Sequence, residues 1–198
     1  MITYIRGLLI EKNPAYAVIE TAAGVAYFIH VSLSTFSEIK DLDNVLLFTH
    51  YAVKEDGHTL YGFYTEQERS IFRYLISVNG IGPNSAMLFL SSLSVPEIIH
   101  AITTDNVRVL QSVKGIGNKT AQRVIIELKD KIGKMSLSSG TTAAPGTSYN
   151  ANKYEALSAL TTLGYSKNVA ENILDKIIEK EGINLSVEDL IKQSLRAL

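Results

Sequence analysis

Apolar and polar positions change their period near residue 64. Before it, β-branched and apolar residues alternate with polar ones or gather in short runs: Thr3–Ile10, Ala15–Thr21, Val25–Val31, Val45–Val53 and Thr59–Phe63. That period of two predicts strands with one buried face. Lys12-Asn13-Pro14, Ala23-Gly24 and Asp56-Gly57 separate the runs as turn signals. From 65 to 133 the period is helical, with Ile71, Leu75 and Val78 on one stripe and Val124, Leu128 and Ile132 on another. The chain therefore predicts an all-β unit followed by an all-α one.

Five short strands with a short helix at Ser32–Ile39, between the third and fourth, match the oligonucleotide/oligosaccharide-binding (OB) barrel. A different small barrel is the open alternative. Residues 134–150, KMSLSSGTTAAPGTSYN, are small and polar and uncharged after Lys134. Such a stretch buries too little apolar surface to order itself, so a flexible tether is expected, with an ordered surface loop as the alternative. Residues 151–198 predict three short helices. The first lies near Lys153–Thr162 and stops at Gly164. The second, Lys167–Glu179, is capped by Ser166 and followed by Gly182. Ser186 and Asp189 open the third in the manner of a capping box. The expected domains are 1–64, 65–133, a linker at 134–150, and 151–198.

Charge singles out one of these segments. The formal net charge of the 198 residues is −1, which by itself argues against a nucleic-acid partner. Residues 1–64 carry −3 and 151–198 carry −1, whereas 65–134 carry +3. The chain has no cysteine, which excludes disulfides, thiolate metal sites and cysteine nucleophiles and suits a reducing cytoplasm. No apolar run approaches the ~18 residues of a membrane span, and the first residues do not have the build of a secretory signal.

The basic segment contains a duplication. Ser77-Val78-Asn79-Gly80-Ile81-Gly82-Pro83-Asn84-Ser85-Ala86 recurs 35 residues later as Ser112-Val113-Lys114-Gly115-Ile116-Gly117-Asn118-Lys119-Thr120-Ala121. Two glycines around an isoleucine predict a tight turn with exposed backbone, pinned by the buried isoleucine. A helix starting directly after it directs free N–H groups and the positive dipole end outward, a ready phosphate site. The motif resembles the helix-hairpin-helix DNA-binding module, which holds backbone rather than reading bases. Candidate contacts are Gly80, Gly82, Asn84 and Ser85 in the first copy, and Lys114, Gly115, Gly117, Asn118, Lys119, Thr120 and Arg123 in the second. With Asn79 and Asn84 in place of lysines, the first copy is electrostatically weaker. A nucleotide-binding Walker loop does not fit, because Asn118 separates Gly117 from Lys119 and Ser112 stands at the first glycine.

The order of barrel, duplicated hairpin, tether and three-helix bundle resembles the bacterial RuvA family across the chain. The stretches that carry it are Tyr51-Ala52-Val53-Lys54-Glu55-Asp56-Gly57 with Leu60-Tyr61-Gly62-Phe63, Gln67-Glu68-Arg69 with Phe72, and Lys114 through Lys129. The resemblance implies a four-fold homotetramer, sometimes paired into an octamer, that holds a four-way (Holliday) DNA junction flat for recombination and repair. It implies a RuvB-type hexameric ATPase docked on 151–198 and a junction resolvase in the larger complex. Glu55 and Asp56 match the family's acidic pin, which would repel phosphates at the junction centre. Asn84 and Asn118 depart from it, since members often carry lysine there. Ala159-Leu160, Leu163-Gly164-Tyr165 and Ala170 also resemble ubiquitin-associated bundles, taken as shared shape only.

No catalytic signature is present. His30, His50, His58 and His100 are not at metal-ligand spacing, and no G-x-S-x-G elbow occurs. A non-catalytic subunit without cofactor or metal is therefore expected, fuelled by its partner. Two alternatives stay open: a nonspecific duplex-binding scaffold, and a Mg²⁺-dependent nuclease using Glu55 and Asp56.

Overall fold

The computed structural model describes residues 1–55, 57–138, 148–181 and 185–197. They form two compact units, Met1–Ser138 and Ser139–Leu198. In the first unit β1 (Tyr4–Asn13), β2 (Tyr16–Glu20), β3 (Ala26–Val31), β4 (Asn44–Lys54) and β5 (Gly57–Phe63) close a barrel in the order β1-β2-β3-β5-β4. α1 (Leu33–Ile39) joins β3 to β4. This is the OB arrangement, with β3 and β5 pairing in parallel and the other pairs antiparallel. Closure leaves no strand edge free. The barrel is filled by Ile5, Leu9, Ala17, Ile19, Ile29, Val31, Ile39, Val45 and Leu47. Gly62 is required where β3 meets β5, because a Cβ there would lie 2.6 Å from Ile29 Cγ2.

β1 outruns the expected strand, continuing through Lys12 and Asn13 so that only Pro14 and Ala15 form the turn. Pairing with β2 holds those residues extended: Lys12 faces Ala17 and Asn13 faces Tyr16.

The helical part comprises α2 (Glu66–Ile76), α3 (Pro83–Ser92), α4 (Val95–Thr103), α5 (Val107–Gln111) and α6 (Asn118–Ser138). Its core continues from Tyr61 and Phe63 of β5 through Phe72, Leu75, Phe89, Leu90, Ile98, Ile102 and Leu110 to Val124, Leu128 and Ile132. Both expected stripes are buried. Each such side chain contributes about 1.5–3 kcal/mol over an exposed one.

A polar lock joins α2 to the barrel. Ser32 caps α1 by accepting from Thr35 N at 3.0 Å, and its hydroxyl donates to Glu68 Oε1 at 2.5 Å. Thr35 Oγ1 donates to Glu68 Oε2 at 2.7 Å, and Tyr64 N donates to the same oxygen at 3.2 Å. Burial pushes the Glu68 carboxyl above its ordinary pKa, against the pull of these donors. Next to it, Arg69 donates to Thr3 O at 2.8 Å, pairs with Glu66, and lies over the Phe48 ring.

α6 runs to Ser138, five residues into the segment expected as tether, and the first helix of the second unit, α7 (Ser148–Thr162), begins before it ends. Once a helix is nucleated, each added residue gains a hydrogen bond, so the helix runs on past its packed part. Residues 139–147 lie outside the described ones. The second unit continues with α8 (Lys167–Glu181) and α9 (Val187–Ala197) around Ala156, Leu157, Leu160, Ala170, Leu174, Ile177, Ile178 and Leu190. Gly164 closes α7 at φ +100°, as a C-terminal glycine should. Ser186 Oγ accepts from Asp189 N at 3.1 Å and donates to the Asp189 carboxylate at 2.8 Å. Gly182, expected to follow the second helix, lies outside the described residues.

Candidate nucleic-acid interface

The duplication in sequence is a duplication of hydrogen bonds. At the first turn Ser77 N donates to Arg73 O at 3.2 Å, Ser77 Oγ to Tyr74 O at 2.7 Å, and Ile81 N to Val78 O at 3.1 Å. At the second, Ser112 N donates to Arg108 O at 3.2 Å, Ser112 Oγ to Val109 O at 2.7 Å, and Ile116 N to Val113 O at 3.1 Å. The hydroxyl of each serine ties off a helix end, and each isoleucine amide closes the turn.

The glycines divide the work. Gly80 and Gly115 take φ +94° and +86°, the left-handed region that disfavours other residues. Gly82 and Gly117 stand outside it, and neither would meet anything within 4 Å if given a Cβ. Positive φ, expected of glycines in general here, thus belongs only to the first of each pair. The second leaves an open surface before the helix, and its carbonyl starts that helix by accepting from Ala86 N or Ala121 N at 3.0 Å.

Burial follows the same pattern twice. Val78, Ile81 and Ala86, like Val113, Ile116 and Ala121, are buried, whereas Gly80, Gly82, Asn84, Lys114, Gly115, Gly117, Asn118 and Lys119 are exposed. Ser85 and Thr120 are half-buried. The side chains of Ser32, Thr65, Ser94 and Asn106 cap α1, α2, α4 and α5, but no side chain caps α3. Pro83 at its first position has no N–H, so the donors open to an external acceptor are the amides of Asn84 and Ser85, and an anion meets the positive end of the dipole there.

The cations are unequally placed. Lys114 and Lys119 are exposed and unpaired among the described residues. Arg123, expected around the second turn, reaches the first: its Nη1 donates to Asn79 O at 3.1 Å, while its Nε lies 3.8 Å from Glu127 Oε1. Lys129 pairs with Asp105 at 2.5 Å.

The acidic residues lie far along the chain from these turns, on the β4–β5 hairpin. Glu55 is exposed at its tip, and Asp56 lies outside the described residues. His58 contacts Tyr51 across that hairpin. Among the described residues no group of three His, Cys, Asp or Glu could hold a metal.

Two family profiles, "RuvA N terminal domain" over residues 1–62 and "RuvA, C-terminal domain" over 151–198, match the ends of the chain, and "SAM-like Helix-hairpin-helix tandem" matches 72–130 between them. A protein of Christiangramia forsetii is 50% identical over the whole of both chains. The chain belongs to the RuvA family. A Cytophaga hutchinsonii relative is 47% identical over 99% of both chains, and one from Coxiella burnetii is 39% identical over all of this chain and 98% of its own. These three carry the name "Holliday junction branch migration complex subunit RuvA". The tandem profile spans both RuvA hairpins, 77–86 and 112–121.

Sequence reasoning missed the Ser32–Thr35–Glu68 lock and the partner of Arg123. The first had a faint signal in Ser32, a capping residue at the head of an expected helix. The second had none, since Asn79 accepts through its backbone.

Proposed function

We propose that this chain binds four-way DNA junctions through phosphate contacts at its two hairpins and recruits a RuvB-type hexameric ATPase for branch migration in recombination and repair. One observation carries the reading: two exposed Gly-Ile-Gly turns of matching hydrogen-bond pattern, each opening a helix, in the only segment of net positive charge. Full-length membership of the RuvA family supports it.

In this reading Gly82 and Gly117 admit a phosphate to the helix N-terminus. Asn84, Ser85, Asn118 and Thr120 supply neutral donors beside it, and Lys114 and Lys119 add charge at the second turn. Gly80 and Gly115 give the turns their shape. Contacts of this kind position DNA without reading sequence. Junction preference comes from assembly: a homotetramer, or two face to face, sets eight or more hairpins in the geometry of four arms. Glu55 and Asp56 at the centre repel backbone and keep separating strands apart.

The chain is the non-catalytic part of the machine and takes no cofactor; its motor partner hydrolyses ATP. Residues 1–64 and 65–133 form the junction-binding body, 134–150 the tether, and 151–198 the motor-docking domain. Leu163, Tyr165, Val169 and Leu195 expose apolar surface there, the material of a protein contact. A junction resolvase joins the larger complex, which works in the cytoplasm.

Competitive gel shift at matched salt, a synthetic four-way junction against linear duplex of equal length, tests the proposal. Strong preference for the junction is expected. Equal binding would reduce the chain to a general duplex scaffold, and strand cleavage with Mg²⁺ would make it a nuclease.

A further inference from the structure

The first hairpin has no cation of its own: from Ser77 to Ala86 the chain carries Asn79 and Asn84 but no lysine or arginine. Yet the structure brings cations to it from the second hairpin's long helix. Arg123 Nη1 donates to Asn79 O at 3.1 Å, and Lys131 Nζ lies 3.5 Å from Ser77 Oγ. Arg123, Glu127 and Lys131 fall four residues apart on α6, so they share one face of it. Glu127 Oε1 lies 3.8 Å from Arg123 Nε.

We infer that Arg123 is a positioning residue of the first hairpin, holding the Asn79–Gly80 loop and lending its charge to a phosphate site that lacks one. The fork geometry permits both roles. A guanidinium has five donors, and the Asn79 carbonyl and Glu127 engage only Nη1 and Nε. The side chain is half-exposed, and its remaining N–H groups are the donors available for a backbone phosphate. The Asn79 carbonyl belongs to the peptide that leads into Gly80, whose φ of +94° sets the turn. Holding that carbonyl holds the turn. The arrangement also ties one hairpin to the other, so both cradles meet DNA in fixed relation. The second hairpin needs no such help, with Lys114 and Lys119 in its own sequence.

This inference rests in part on the hairpins binding phosphate, and the test separates the two. Hydrogen exchange by mass spectrometry on the free full-length protein reads the turns without DNA, because Ile81 N and Ile116 N donate to Val78 O and Val113 O. Arg123→Gln should raise exchange in 77–86 about fivefold and leave 112–121 unchanged. Junction binding by the same variant should lose about one unit of salt slope per bound subunit, and Arg123→Lys, which keeps the charge without the fork, should recover the slope but not the full protection. Unchanged exchange at 77–86, or an equal rise in both hairpins, would overturn the positioning role. Lys119→Gln is the control: if it leaves affinity and salt slope unchanged, phosphate binding by the hairpins fails, while the exchange result still decides what Arg123 does.

Discussion

At the first turn Asn79, Gly80 and Asn84 stand where the second has Lys114, Gly115 and Lys119, yet the two backbones repeat one set of hydrogen bonds. Their supports also differ. The first hairpin follows α2, which Glu68 and Arg69 bind to the barrel, whereas the second follows the five-residue helix α5 and rests on α4 and α6. One cradle is thus weakly charged and firmly seated, and the other carries its own cations. Backbone form and electrostatic strength are therefore separable parts of such a site. Glycine and a buried isoleucine fix the first, and surface lysines set the second.

Removing the seat of the first hairpin has the greatest consequence. Glu68→Ala leaves Ser32, Thr35 and Tyr64 N without their shared acceptor and should cost about 3 kcal/mol, read by thermal unfolding, with hydrogen exchange rising more at 77–86 than at 112–121. Next is charge. Lys114→Gln with Lys119→Gln should weaken junction binding roughly tenfold or more at 0.1 M salt and flatten its salt dependence, with the melting temperature unchanged. A smaller test separates the two glycines of one turn. Gly115→Ala should lower stability by about 1 kcal/mol because of its φ, while Gly117→Val should leave the barrel folded and weaken DNA binding severalfold by blocking the phosphate. In the opposite direction, Asn84→Lys should tighten binding about threefold and steepen the salt slope, because the first hairpin then carries a cation of its own.

The smallest expected effect is on pH. His50 packs on Phe72 of α2, and burial first, then Arg73 and Arg69, hold its pKa below the ordinary imidazole value. A depressed value means that the unfolded chain takes up a proton before the folded one. This contribution is therefore complete above the unfolded pKa of about 6.5 and is lost as pH falls through that value toward the folded one. A His50→Gln variant should show a flatter melting-temperature profile between pH 7 and pH 5 than the parent.

Much of this was legible beforehand because it is local. Alternation named the strands, the segment Ser32–Ile39 was expected as the short helix that α1 is, and the repeated Ser-Val-x-Gly-Ile-Gly announced both turns. What escaped is long-range. Glu68 meets Ser32 and Thr35 across 36 and 33 residues, and Arg123 meets Asn79 across 44. No period records such pairs. The break between α4 and α5 was missed too: Asp105 turns the chain there at φ +57°, a conformation aspartate tolerates but does not advertise. The helical start of 134–150 was lost because composition describes a segment alone, not one extended from a helix already formed.

Junction binding as proposed is a grip of the paired hairpins on the phosphate backbone. Its most direct test is dissociation constants measured across a salt series for two four-way junctions with unrelated arm sequences. Equal affinities for the two are expected, with a steep linear fall of log affinity with log salt that is shallower in the Lys114→Gln, Lys119→Gln protein. A clear preference for one arm sequence, or an affinity indifferent to salt, would contradict it.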